Sequence, residues 1–157
     1  MTKKINPCMT VHLEGDFVVF LIGMRINRWW KIHKWFPVAM AMPRLLKELA
    51  HSPDSGFLGA EMGLGIIVQY WKTFEQLEAY ARDQNLKHFP VWKAFNKKMK
   101  CNGDVGIWHE TYKISAGEYE CIYNQMPPYG LGKVGELIPA VGKKEFAAGR
   151  LGKKVDS

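Results

Sequence analysis

The sequence predicts an α+β domain with the ferredoxin-like element order βαββαβ, and three observations carry that prediction. Residues 16–26 are β-branched or aromatic on both faces of a strand. Residues 57–62 and 66–71 are short apolar segments joined by Gly63-Leu64-Gly65, which is a hairpin signal. Helical patterns separate this hairpin from the strand before it and from another apolar segment at 105–114. That order gives an antiparallel sheet layered with helices on one side.

Taken in order, residues 1–14 read as a loose lead-in, and 16–26 as a strand covered on both faces. A helical region follows over about 28–51. Trp29, His33, Phe36 and Met40 recur there at spacings of four, three and four, which makes one helical stripe. Pro37 and Pro43 predict a break or kink near Phe36 or Met42. Ser52-Pro53-Asp54-Ser55-Gly56 stops the helix. After the hairpin, Thr73 is the N-cap of a capping box with Gln76 at the third helical position. That helix carries Phe74, Leu77 and Ala81 on one face. Residues 83–87 interrupt it, and Pro90 starts a second segment reaching about 100. Asn102-Gly103-Asp104 turns the chain into the strand at 105–114, and Ala116-Gly117 turns it into a fifth strand at 119–126. Beyond Pro127-Pro128 the chain is Gly- and Lys-rich, with no element before a short helix at 144–148. The organisation expected is a lead-in of 1–14, a ferredoxin-like domain of 15–126 and a basic tail of 127–157. One sheet face lacks cover in such a subunit, so a homodimer is expected.

Composition narrows the function classes. The 157 residues are 47% hydrophobic, 24% charged and 13% aromatic, with six Trp. That suits one folded domain with a sizeable core or apolar pocket, and excludes intrinsic disorder. The longest apolar run, 17–24, is far short of the roughly 20 residues of a membrane-spanning helix. No secretory leader is visible, because polar residues break the N-terminal region. Cys8, Cys101 and Cys121 form no CxxC pair, which argues against a disulfide framework or a cysteine zinc site and makes the cytoplasm the default. The formal charge is +7, of which residues 127–157 carry +3. With no compact basic block and no nucleic-acid motif, this reads as a solvated basic surface, so neither nucleic acid nor membrane is an expected partner.

None of the short catalytic signatures HExxH, GxSxG or the P-loop occurs, so any chemistry must come from residues assembled by the fold. The glycines at 56, 59, 63 and 65 lie in the hairpin, where a phosphate cradle is not expected. His88 shares a helical face with Trp92, Phe95 and Met99. An imidazole at the head of an aromatic stripe is either a haem ligand or a core histidine bonded to a backbone carbonyl. His109 alternates with Val105, Ile107 and Thr111 on one strand face, while Trp108, Glu110 and Tyr112 take the other. It is either a general acid/base facing a pocket or a satisfied sheet histidine. His33, set among Trp29, Trp30, Trp35 and Phe36, marks either a pocket wall or a core-facing helix. Arg25, Glu61, Gln69, Tyr70 and Asn124 are polar residues in apolar strands, which either line a cavity or face solvent.

Four blocks then carry a resemblance: Met24-Arg25-Ile26-Asn27-Arg28-Trp29-Trp30; Gln69-Tyr70-Trp71 running into Phe74-Glu75, Leu77 and Tyr80-Ala81-Arg82; His88-Phe89-Pro90-Val91-Trp92; and Gly106-Ile107-Trp108-His109-Glu110-Thr111-Tyr112. Together, over about residues 15–140, they resemble the monooxygenase-like family named after a fumagillin-pathway enzyme, which is grouped with the antibiotic-biosynthesis-monooxygenase type. The resemblance implies a dimeric α/β barrel of ferredoxin-like subunits. A second resemblance runs from Phe74 to Phe95, through Trp108-His109-Glu110, to Tyr119-Glu120, and is to haem-containing aldoxime dehydratases. It implies that His88 is the axial ligand of haem b and that His109 is the distal acid/base, with Glu110 beside it. This chain is shorter than those enzymes, and counterparts of the serine and arginine that position their oxime are not found.

The combined expectation is a monooxygenase-like enzyme acting on a small apolar substrate. Trp92 and Phe95 would wall the haem, and Trp29, His33, Tyr70 and Asn124 would line the substrate pocket. The alternatives are a cofactor-free monooxygenase using His109, Tyr70 or Asn124 as base or oxyanion partner, a haem-dependent dehydratase, and a non-enzymatic haem- or ligand-binding dimer.

Overall fold

The structure is a computed structural model and describes residues 8–83, 93, 97 and 103–154. Strand β1 (Met9–His12) precedes β2 (Phe17–Ile26), helix α1 (Ile32–Ala50), the hairpin β3 (Phe57–Gly63) and β4 (Ile66–Trp71), helix α2 (Phe74–Arg82) and β5 (Val105–Ile114). The C-terminal part adds β6 (Glu136–Pro139) and the short helix α3 (Ala147–Arg150). Strands β2 to β5 form one antiparallel sheet in the order β3-β4-β2-β5, which is the ferredoxin-like topology. No helix among the described residues is long and apolar enough to cross a membrane.

Local sequence explains the elements between β2 and β5. The Thr73 hydroxyl accepts from the Gln76 amide, as the capping box requires. Gly56 ends the turn before β3 at a φ of 78°, where any Cβ would collide with the Gln76 side chain. The core on the helix side gathers Val18, Leu49, Trp71 and Leu77, with Phe20, Phe57 and Tyr80 packed on it. Trp71 is fully buried and donates its indole N–H to the Gln69 side chain at 3.0 Å.

Three sequence expectations need correction. Residues 119–126 form no strand; Tyr123 alone makes an isolated bridge to Met9. Residues 9–12 of the lead-in are not loose, and the tail has an earlier element than expected, because β1 and β6 pair antiparallel from Met9↔Pro139 to His12↔Glu136. Each strand has only four residues, too short a pattern to stand out, and each depends on a partner at the other end of the chain. Their sheet and Tyr123 pack with Phe17 and Leu131 over the sheet face opposite the helices. Finally, α1 runs without interruption through Pro37 and Pro43. Packing of its inner stripe against the sheet outweighs the two missing N–H donors. That inner stripe is Val38, Met42, Leu45 and Leu49. Trp29, His33, Phe36 and Met40 lie on the outside, Trp29 being 63% exposed.

One ionic cluster joins α1 to the sheet. Asp104, with its side chain 1% exposed, receives Arg28 at 3.1 Å, Lys31 at 3.0 Å and Lys34 at 2.9 Å. Its backbone carbonyl also accepts from the Asn27 amide at 2.9 Å. Helix α1 has no acidic residue in its first turn and no side-chain N-cap, so this carboxylate supplies the negative charge its N-terminus lacks. Bonds from Lys34 and Lys31 lower the Asp104 carboxyl to about 2, against an unperturbed 3.8. A carboxyl depressed on folding stabilises fully above its unfolded value and loses that contribution as pH falls through the folded one. Urea melts across pH should therefore show a loss of stability between about pH 4 and pH 2. Asp104→Asn should be less stable at neutral pH and flatter across that window; equal slopes would contradict the cluster's role.

Candidate functional site

The helix-facing side of the sheet and the inner stripes of α1 and α2 do not close completely. Between them is a cavity of about 360 Å³, within the usual range for small-molecule sites. Phe20 and Ile22 of β2 form its floor; Met42, Leu45, Leu46 and Leu49 of α1 and Phe74, Leu77 and Ala81 of α2 form its walls. Phe74, Leu77 and Ala81 are the face the α2 sequence predicts. The polar side chains in this lining are Gln69, Glu78, Tyr80, His109 and Thr111.

Each polar group is placed by an element of the fold. His109 and Thr111 stand on the cavity side of edge strand β5 and are exposed, so they lie at the mouth. The His109 ring sits 5.7 Å from that of Phe20, tilted by 40°. His109 has no hydrogen-bond partner among the described residues. Gln69 is buried, with its carbonyl oxygen taken by Trp71. Burial, with the Glu48 charge adding to it, pushes the Tyr80 phenol up to about 12, so it stays neutral at any physiological pH. Glu78, on the same face of α2 as Leu77 and Ala81, is paired with Arg82 at 2.7 Å.

The remaining expected site residues lie elsewhere. Glu110 is on the opposite face of β5 from His109, where its carboxylate accepts from the Tyr112 hydroxyl at 2.6 Å; alternation along the strand prevents the two from acting together. Tyr70 also faces away, packed in the cluster around Phe17 and Tyr123, where burial raises its phenol. Trp29 and His33 are exposed on the outer side of α1. Asn124 is exposed in the segment after β5 and bonds weakly to Cys8. None of these lines the cavity. His88, Trp92 and Phe95 lie outside the described residues. No cluster of three metal-ligating side chains occurs among the described residues. Tyr80 and Met42 are cavity residues the sequence reading did not single out. The signal for Met42 is its phase with Val38, Leu45 and Leu49.

One known structure shares this architecture. An aldoxime dehydratase solved in complex with butyraldoxime superposes with a TM-score of 0.60 at 14% identity, over 85% of this chain and 42% of that one. Another solved aldoxime dehydratase gives a TM-score of 0.45 at 13% identity, over 95% of this chain and 46% of that one. The chain thus spans less than half the length of either, and the first likeness is one of fold. No curated protein matches the chain. The family described as monooxygenase af470-like matches residues 17–131. That stretch runs from the first residue of β2 into the turn after Tyr129 and contains every residue named above as lining the cavity. This chain belongs to the monooxygenase af470-like family.

Proposed function

We propose that the protein is a small-molecule enzyme of the monooxygenase type that takes an apolar substrate under α1 and α2, holds haem b through His88, and moves protons with His109. The observation that carries this reading is His109 itself, an imidazole with no hydrogen-bond partner among the described residues, at the mouth of an otherwise largely apolar cavity. Imidazole is the side chain best suited to giving and taking a proton near neutrality.

The described lining fits the chemistry of haem in that its floor and helical walls are hydrocarbon and aromatic, as the faces of a macrocycle require. His88 would supply the axial nitrogen, with Trp92 and Phe95 against the ring. When bound, haem supplies an iron that takes up oxygen, peroxide or an N–OH group. The chain does the rest. Phe20, Ile22, Leu45 and Leu46 exclude water from the reacting centre, and the Thr111 hydroxyl at the mouth offers a hydrogen bond that orients a polar group. His109, through a ring nitrogen, donates a proton to the leaving oxygen or takes one from the substrate.

One observation favours a cofactor-free alternative. Among the described residues, the cavity lining carries Glu78 but neither Lys nor Arg to receive the haem propionates. In that reading His109 removes a proton from an activated CH₂ of the substrate, and the resulting anion supplies the electrons. The CH₂ becomes C=O with one atom of dioxygen, and the other atom leaves as water.

The chain is also proposed to form a homodimer through the sheet face opposite the helices. There Trp108 and Tyr112, 41% and 47% exposed, flank Glu110 beyond the reach of the tail.

Hemin titration tests the cofactor. A saturable Soret band at one haem per chain, lost or shifted in His88→Ala, is the expected result; no band in the wild type leaves the cofactor-free reading. His109→Ala should lower turnover by about 10²–10⁴-fold with little change in substrate affinity, and unchanged turnover would remove His109 from the mechanism. Sedimentation should give a two-chain mass that falls toward one chain in Tyr112→Asp; a one-chain mass for the wild type would exclude the dimer.

A further inference from the structure

A second hollow of about 170 Å³ lies under α1, beyond the cavity that holds His109. Val38, Met24, Met62, Ile66 and Ile107 wall it, and its whole lining is apolar side chains and glycine. The two hollows share Ile22 from β2 and Met42 from α1. One side chain from the sheet and one from the helix therefore form the partition between them.

The partition is unequal in stiffness. Ile22 is β-branched and held in the central strand, paired on both sides, so its side chain has little freedom. Met42 is unbranched, with rotatable bonds along its length and a soft thioether that accommodates different shapes. The far hollow carries two more methionines, Met24 and Met62, on its walls. Such a lining moulds itself to a flexible occupant better than to a rigid one. Among the described residues, the polar groups of the lining are all at the His109 end.

We infer that the two hollows form one slot for an extended hydrocarbon chain with a single polar head, the head lying at His109 and the tail passing between Ile22 and Met42. Met42 then sets the length of chain accepted. This rests on the reading of the first cavity as the substrate site and names the class of molecule it takes: a long, flexible aliphatic chain ending in a hydroxyl, carbonyl or oxime.

The test is the binding of straight-chain primary alcohols, from hexanol to tetradecanol, to the purified protein by calorimetry. Each methylene that leaves water adds about fourfold in affinity. For the wild type that rise should continue beyond the length that fills the first cavity alone. Met42→Trp, which closes the partition, should end the rise at a shorter chain. Ile107→Phe fills the far hollow from the opposite wall and should do the same while leaving hexanol affinity unchanged; it also covers the case in which Met42→Trp fails to fold. A rise that ends at the same chain length in the wild type and in Ile107→Phe, with hexanol still bound, overturns the slot but leaves the first cavity as a ligand site. Absence of binding by every alcohol to the wild type overturns both.

Discussion

The constraint from which the rest of the structure follows is that β2 is apolar on both faces and paired on both edges. Val18 and Phe20 point to one side of the sheet, and Phe17 and Val19 to the other. No single layer can bury both sets. Helices α1 and α2 cover the first. The second is covered by chain from both termini, brought together by the β1–β6 pairing and tied down by polar contacts. The Tyr119 hydroxyl bridges the amide and carbonyl of Leu13, at 2.6 and 3.2 Å. Glu61, nearly buried on β3, accepts from the Gly130 amide at 3.0 Å and pairs with Lys133. This cover reaches the Phe17 end of the sheet and stops short of Trp108, whose indole lies over Gly23 and leaves no room there for a Cβ. The face is thus half closed by the chain itself and half left to whatever binds it.

What was legible in the sequence follows from how local each determinant is. The hairpin, the capping box of α2 and the span of β5 are written in runs of four to ten neighbouring residues, and each is where the pattern puts it. Strands β1 and β6 are not, because four residues carry too little periodicity and their stability comes from one another. The same logic divides the site. Alternation along β5 places His109 toward the cavity, and the identical rule sends Glu110 to the other face. Grouping the two on the strength of a shared motif ignores that rule. Likewise Gln69 and Tyr70 are neighbours in sequence, so only Gln69 lines the cavity.

Helix α1 shows where periodicity by itself is silent. Two apolar stripes run along it and the turn before it: Trp29, His33, Phe36 and Met40, and Val38, Met42, Leu45 and Leu49. Both have helical spacing, and the aromatic one is bulkier. Hydrophobicity alone favours burying Trp29 and Phe36, yet they are turned outward. Something other than apolar area selects the rotation of this helix.

The selector is electrostatic. Extended toward the N-terminus, the inner stripe reaches Lys34 and Lys31, at the same three- and four-residue steps. Both lysines, with Arg28, converge on Asp104 at the start of β5. Three cations near the positive end of a helix dipole repel it and one another unless a carboxylate lies among them. Among the described residues the carboxylate that meets them is Asp104, and it can do so only if the face carrying Lys31 and Lys34 is turned to the sheet. That rotation carries Val38, Met42, Leu45 and Leu49 inward over the next one to four turns and leaves Trp29, Phe36 and Met40 outside. The choice of which side chains wall the cavity, and which methionine stands between its two hollows, is therefore made at the opposite end of the helix by a single buried acid.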